Sequence, residues 1–395
     1  MRTGATSRLG LRAYFQAQPE ESASRRLSGR ICTCATYTDW RREVPSSDGD
    51  PWSIGALEQT VLEYQGVGSD ADVPRELRFA RSIARLVAKR RLRPDSHQDP
   101  NALGVLVLAP EAPLQVLPIS TRVHMLDQAN DPLTGRLWIT NETAAFGDFE
   151  SHNRDGDELF SWVSELGLGA YPAIIYDPVT DGGQLRLYMS GLEQPGTVDV
   201  YSIRSIEPIT YEAVREVIDA LHESALMSPA VQSAGVRLWA DADRHRVVRD
   251  AEARIHAQVR VALLGAFLNY RVGNEKPVPS GRYDVAIGYF DNVASTLTQY
   301  GIIELKVLRS FGSTGHAYSA HDSYVREGVI QAATYREDEG AVWAQLACFD
   351  MRIEADASDA CMSAANDLAD EQRVMLDRWQ IYATSTEYRH SRIAS

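Results

Sequence analysis

The chain has 395 residues, enough for two domains that each bury a core, and its 44% hydrophobic and 24% charged residues mark an ordinary soluble globular protein. No apolar run reaches the roughly 18 residues of a membrane-spanning helix; the longest, Val259 to Tyr270, is broken by Arg260 and Gly265. A formal net charge of −14 argues against a protein that coats nucleic acid non-specifically, and leaves any phosphate contacts to local basic patches or a partner.

Residues 1–30 are rich in Arg and Ser, but Glu20 and Glu21 interrupt them and no secretory apolar core is present. They read as an N-terminal arm of a cytoplasmic protein. Cys32 and Cys34 form a C-x-C pair while Cys348 and Cys361 stand apart, which gives neither a disulfide framework nor a zinc set. A basic helix is expected from Arg75 to Arg93, stopped by Pro94, with Arg78, Arg81, Arg85 and Lys89 on one face. That face has two readings: a solvated surface paired with acidic loops, or a substrate-binding surface that contacts phosphates.

Strands are expected at Leu103–Leu108, Leu114–Leu117, Arg136–Thr140, Ala173–Tyr176 and Leu185–Met189, the last two forming a hairpin around Asp181-Gly182-Gly183. Gly147 to Glu158, dense in Asp, Asn and Gly, reads as an exposed turn. The pattern divides near residues 195–210. A mixed α/β N-terminal domain over 1–200, suited to recognition, sensing or partner binding, precedes a second domain over 205–395.

The second half is more regular. Thr210 can cap a helix to about Leu226, and Ile255, Val259, Leu263 and Phe267 form the apolar stripe of a helix from Val248 to Tyr270. Three strands follow, Val272–Lys276, Tyr283–Tyr289 and Ile302–Leu308. A connection with His316 and His321, read as loop histidines or phosphate contacts, leads to a helix from Ser323 to Arg336. The strand Val342–Phe349 and a helix over Asp370–Tyr382 close the chain.

Two pieces of this half carry chemistry: Gly281-Arg282-Tyr283-Asp284, opening the second strand, and Glu304-Leu305-Lys306, in the middle of the third. Residues two apart on a strand share a face, so Glu304 and Lys306 project together and Leu305 goes to the other side. Pairing of the two strands would bring Asp284 alongside. Two carboxylates and an ammonium on a half-buried strand are costly unless compensated, and a divalent cation is the natural compensation. Magnesium takes hard oxygen ligands, here Asp284, Glu304 and the Leu305 carbonyl, with Lys306 beside it to position a water.

These residues, with the order helix, three strands, helix, strand, resemble the PD-(D/E)XK phosphodiesterase superfamily over about residues 245–352. Glu252 on the preceding helix matches an additional acid of several branches, with His256 as the alternative there. Gln331-x-x-x-Tyr335 looks like the Q-x-x-x-Y signature of the RecB-like branch. The resemblance implies an α/β protein with a restriction-endonuclease-like αβββαβ core and mixed central sheet, preceded by the mixed α/β domain. It implies a hydrolase, a Mg2+-dependent nuclease in which Mn2+ substitutes, with Glu252, Asp284, Glu304, Lys306 and Gln331 catalytic and Tyr335 either binding substrate or packed in the core. Nucleic acid is the implied partner, DNA before RNA, in bacterial antiviral defence or DNA repair, with a homo-oligomer or partner subunit helping to hold it. The alternative is a catalytically inactive nuclease-like domain that binds nucleic acid or serves assembly.

Overall fold

A computed structural model describes residues 73–91, 102–108, 121–124, 132–180, 183–194, 196, 198–203, 207–233, 236–274, 277–291, 296–312, 315–353 and 359–394. The arm over 1–30, Cys32, Cys34 and the strand expected at Leu114–Leu117 lie outside these residues. The fold is mixed α/β.

Among the described residues the first element is helix α1 (Arg75–Arg91), and a seven-stranded sheet follows. Its strands are β1 (Gly104–Leu108), β2 (Thr121–His124), β3 (Arg136–Thr140), β4 (Phe146–Ser151), β5 (Ala173–Asp177), β6 (Gln184–Tyr188) and β7 (Asp199–Ser202). Their order is β2-β4-β3-β1-β5-β6-β7, antiparallel except for β1 beside β3. β1 is buried on both faces. Leu106 and Leu108 pack with Ile83 and Leu86 of α1, whereas Val105 and Val107 pack with Leu159 and Val163 of α2 (Gly156–Glu165). The expected hairpin is present as β5 and β6, with Ile174 opposite Leu187. Gly147 to Glu158, however, is not a single exposed turn: it is strand β4 as far as Ser151 and the first turn of α2 from Gly156, with only residues 152–155 an open connection. Phe149 faces Trp138 across the β3–β4 ladder with ring centroids 4.9 Å apart, and that aromatic pairing carries the polar segment into the sheet.

In the second half, the Thr210 hydroxyl accepts from the Ala213 amide at 3.3 Å and starts α3 (Tyr211–Leu221), which runs on through a π turn to Leu226. A short hairpin, β8 (Trp239–Asp241) and β9 (Arg246–Val247), leads to α4 (Ala251–Ala266). After it come β10 (Arg271–Asn274), the small ladder of β11 (Pro277–Val278) with β12 (Gly281–Arg282), β13 (Val285–Asp291) and the long β14 (Thr296–Arg309). Then follow α5 (His321–Glu339), β15 (Trp343–Met351), α6 (Ala360–Gln372), β16 (Val374–Gln380) and α7 (Ser385–Ala394). The five-stranded sheet has the order β10-β13-β14-β15-β16, an antiparallel meander through β14 and parallel pairing beyond it. The closing helix expected over Asp370–Tyr382 is therefore corrected. Arg373 takes a left-handed conformation (φ 52°) that ends α6, and the chain then turns into β16 beside β15.

β14 is buried on both faces from Gln299 to Leu308, and its two faces feed different clusters. Ile303, Leu305 and Val307 join Ile255, Val259 and Leu263 of α4 in one apolar cluster, and Leu308 joins Val325 and Val329 of α5 in another. Burying one side chain such as Leu305 contributes about 1.5–3 kcal/mol. A one-residue slip would forfeit several of these at once and turn Glu304 and Lys306 to the α4 side, so the register is firmly set. The larger cluster also includes Leu77 and Ile83 of α1, so the first helix packs into the same core as the second sheet. No helix among the described residues is long and apolar enough to cross a membrane.

Candidate active site

Val285 pairs with Ile303, which sets Asp284, one residue earlier, at the mouth of the β13–β14 ladder beside Glu304. The Leu305 amide donates to Asp284 Oδ2 at 2.7 Å, and His256 of α4 holds the Asp284 carbonyl through Nε2 at 2.9 Å. On the α5 face of β14 the Lys306 ammonium donates to Glu304 Oε1 at 2.5 Å; Glu304 is 4% exposed and Lys306 8%. The other Glu304 oxygen, Oε2, is enclosed and has no hydrogen-bond partner. Leaving a buried polar atom unsatisfied costs about 1–3 kcal/mol, and more for a charged group.

The electrostatics follow from this crowding. Burial, with Asp284 nearby, pushes the Glu304 carboxyl up to about 7. Burial also raises the Asp284 carboxyl, against the Leu305 amide that stabilises its charge. Burial works against the Lys306 ammonium, but Glu304, Asp284 and Glu252 outweigh it and hold its pKa above the ordinary value. Glu252, on the first turn of α4, thus belongs electrostatically to the same group, and its Oε2 accepts from the Tyr324 hydroxyl at 3.1 Å.

Helix α5 forms the roof. A Cβ at Gly328 would lie 2.8 Å from Leu346 Cδ1 and 3.3 Å from Lys306 Cγ, so glycine is what lets the helix sit down on the lysine stem. Tyr324, Gly328, Gln331 and Tyr335 follow at helical spacing on one stripe. Gln331 is half-buried, its Oε1 enclosed and without a hydrogen-bond partner. Tyr335 takes the core reading of its two. It is 5% exposed and packs with Tyr283, Ala286 and Ile302, so its ring is part of the core rather than a surface that meets substrate. The glycine of the Gly281-Arg282-Tyr283-Asp284 motif serves the same packing, since a Cβ there would lie 2.7 Å from the Tyr335 hydroxyl oxygen.

On the basic face of α1 the structure corrects the substrate-binding reading at Arg81 and Arg85, while Arg78 keeps the acidic-loop reading. Arg81 is 0% exposed; its Nη1 donates to the carbonyls of Leu264 at 2.6 Å and Phe267 at 3.0 Å, and its Nη2 to Tyr270 at 2.5 Å. Arg85 donates to the same Tyr270 carbonyl at 3.1 Å. The last carbonyls of a helix lack partners within it, and Arg81 supplies them at Leu264 and Phe267, while both guanidinium groups hold the Tyr270 carbonyl just beyond the end of α4. Arg78 lies 3.7 Å from Glu142, and Lys89 is half-buried. A phosphate could reach Arg81 only by taking it from α4.

Tyr324 is the site residue that sequence reasoning missed. The available signal was the helical stripe itself, extended from Gln331 two turns towards the N-terminus. His321 binds the Arg309 carbonyl at 3.1 Å, with its ring 5.1 Å from that of Tyr318. His316 is exposed in the connection before α5.

Two carboxylates, each with an oxygen to give, suit a hard cation such as magnesium, which takes one or two protein carboxylates and fills the rest with water and substrate oxygens. The enclosed Glu304 Oε2 is an oxygen that such an ion would satisfy. Among the described residues no group of three or more His, Cys, Asp or Glu side chains is gathered to hold an ion by itself, so a protein-only cage of the zinc type is not formed. Comparison with protein-family models, curated proteins and solved structures finds no match.

Proposed function

We propose that this chain is a metal-dependent nuclease that hydrolyses phosphodiester bonds, with DNA as the favoured substrate. The observation that carries the reading is the buried Glu304 carboxylate, one oxygen on Lys306 and the other without a partner, set beside Asp284 at the mouth of the β13–β14 ladder. The succession of α4, the antiparallel meander β10, β13 and β14, then α5 and parallel β15 supports it, because this is the order that a restriction-endonuclease-like core requires.

Asp284 and Glu304 would hold Mg2+ or Mn2+ through carboxylate oxygens, and Leu305 through its carbonyl. When bound, the cation supplies Lewis acidity and a water of lowered pKa. Lys306 stays protonated, so it acts as a donor: it positions the attacking water and stabilises negative charge that develops on the phosphate. Gln331 offers an amide towards the substrate backbone from the roof. Residues from about 205 onward form the nuclease unit in this reading, and the segment before them selects the target or binds a partner. With Arg81 and Arg85 engaged at the end of α4 and a net charge of −14, an oligomer or a second subunit contributes to holding the polyanion. Bacterial defence or DNA repair is the setting that this chemistry suits.

The test is incubation of the protein with linear, circular and single-stranded DNA and with RNA, in Mg2+, Mn2+ or chelator. Cleavage that needs the metal and disappears in Glu304→Ala is the expected result. Metal-independent cleavage, or none on any substrate, would sink the enzymatic reading.

A further inference from the structure

Tyr324 touches two members of the site at once. Its hydroxyl donates to Glu252 Oε2 at 3.1 Å, and the Lys306 ammonium lies 5.5 Å from the centre of its ring, within the range of a cation–π contact. Its place follows from the close seating of α5: with Gly328 pressed onto Leu346 and Lys306, the residue one turn earlier on the same stripe lies over the lysine. Glu252 is an exposed side chain near the start of α4, and fixing a free glutamate in one rotamer costs side-chain entropy. The phenol is half-buried and anchored by a helix, so it can meet that cost in advance. Burial and the Glu252 charge both raise the Tyr324 pKa, which keeps the hydroxyl a donor at neutral pH.

We propose that Tyr324 is a positioning residue that fixes the Glu252 carboxylate for the cation site while its ring faces Lys306. The inference rests on the metal-dependent reading of Asp284 and Glu304 given above. Groups that orient the residues around a bound metal typically change its affinity about 10–100-fold when lost.

The experiment titrates Mn2+ into the full-length chain and follows the free-ion EPR signal for the unmodified protein, Tyr324→Phe, Glu252→Gln and the double variant. Phenylalanine keeps the ring against Lys306 and removes only the hydroxyl, and a thermal melt by circular dichroism checks that each variant is folded. Tyr324→Phe is expected to weaken Mn2+ binding about tenfold or more, Glu252→Gln at least as much, and the double variant no further than Glu252→Gln alone. Wild-type affinity in Tyr324→Phe, or two losses that simply add, would overturn the inference while leaving the cation site standing. If the unmodified chain takes up no Mn2+, the inference falls together with the reading beneath it.

Discussion

Two acid–base pairs stand on neighbouring strands at the same spacing: Glu304-x-Lys306 on β14, and Asp350-x-Arg352 at the end of β15. Asp350 is fully satisfied. Arg352 gives it Nε at 2.9 Å and Nη2 at 2.6 Å, the Arg352 amide adds a third contact at 3.0 Å, and Arg378 stands 3.7 Å away. Glu304 has one oxygen on Lys306 and the other on nothing. A guanidinium fork matches both oxygens of a carboxylate, whereas an ammonium is a point charge that matches one. The first arrangement completes a structure, and the second leaves Glu304 with one oxygen that a cation could take. Spacing in the sequence does not separate them; the identity of the base and the groups around it do.

Breaking the complete pair gives the largest expected effect on the fold. Arg352→Met strands a buried carboxylate and costs about 3–5 kcal/mol, read as a lower urea midpoint. A loss under about 1 kcal/mol would mean that Asp350 is not dependent on its partner. Glu304→Ala is expected to act on chemistry instead, lowering metal-dependent cleavage on the order of 10²–10³-fold with the melting temperature little changed. Lys306→Met sharpens the contrast. Its effect on stability is expected to be only about 1 kcal/mol, because Glu304, with a carboxyl near pH 7, can take up a proton when its partner is lost. A urea midpoint depressed as far as that of Arg352→Met would erase the difference between the two pairs.

The smallest expected effect is on pH dependence. His222 donates from Nε2 to the Gln380 carbonyl at 2.6 Å, and burial lowers its pKa below the ordinary 6.5, as burial does for His152. The folded state then holds fewer protons than the unfolded chain below pH 6.5. Their stabilising contribution is complete above that pH and is lost as pH falls towards the folded value. Glu304 and Asp284 have the opposite sign: their raised pKa values contribute most in acid, and the contribution fades as pH rises, for Glu304 through about 7. His222→Gln should therefore lose less melting temperature than the unmodified chain between pH 7 and pH 5 in differential scanning fluorimetry. An identical loss in both proteins would contradict the assignment.

Much of the second half was legible because local signals and burial agree there. Alternation on Ile303 to Val307 fixes β14, the stripe Ile255, Val259, Leu263 fixes α4, and the two set Asp284 beside Glu304. The misread segments are those where tertiary pairing overrides composition. Phe149 against Trp138 draws an Asp- and Gly-rich stretch into a sheet, and a left-handed Arg373 divides what reads as one helix into a helix and a strand. The arginine row on α1 shares a face by its spacing, but nothing in α1 says that the carbonyls of Leu264, Phe267 and Tyr270 wait opposite Arg81 and Arg85. Tyr335 and Tyr324 show the same limit from the other side: one stripe supplies a core ring and a site hydroxyl, and only the depth of α5 on the sheet decides which is which.

The central claim, that Asp284 and Glu304 share a divalent cation, is tested most directly by anomalous diffraction from crystals of the full chain grown with Mn2+. The account predicts a single strong anomalous peak between the two carboxylates, absent in crystals of Glu304→Ala. A peak elsewhere with none at this position, or an empty site at saturating Mn2+, would contradict it.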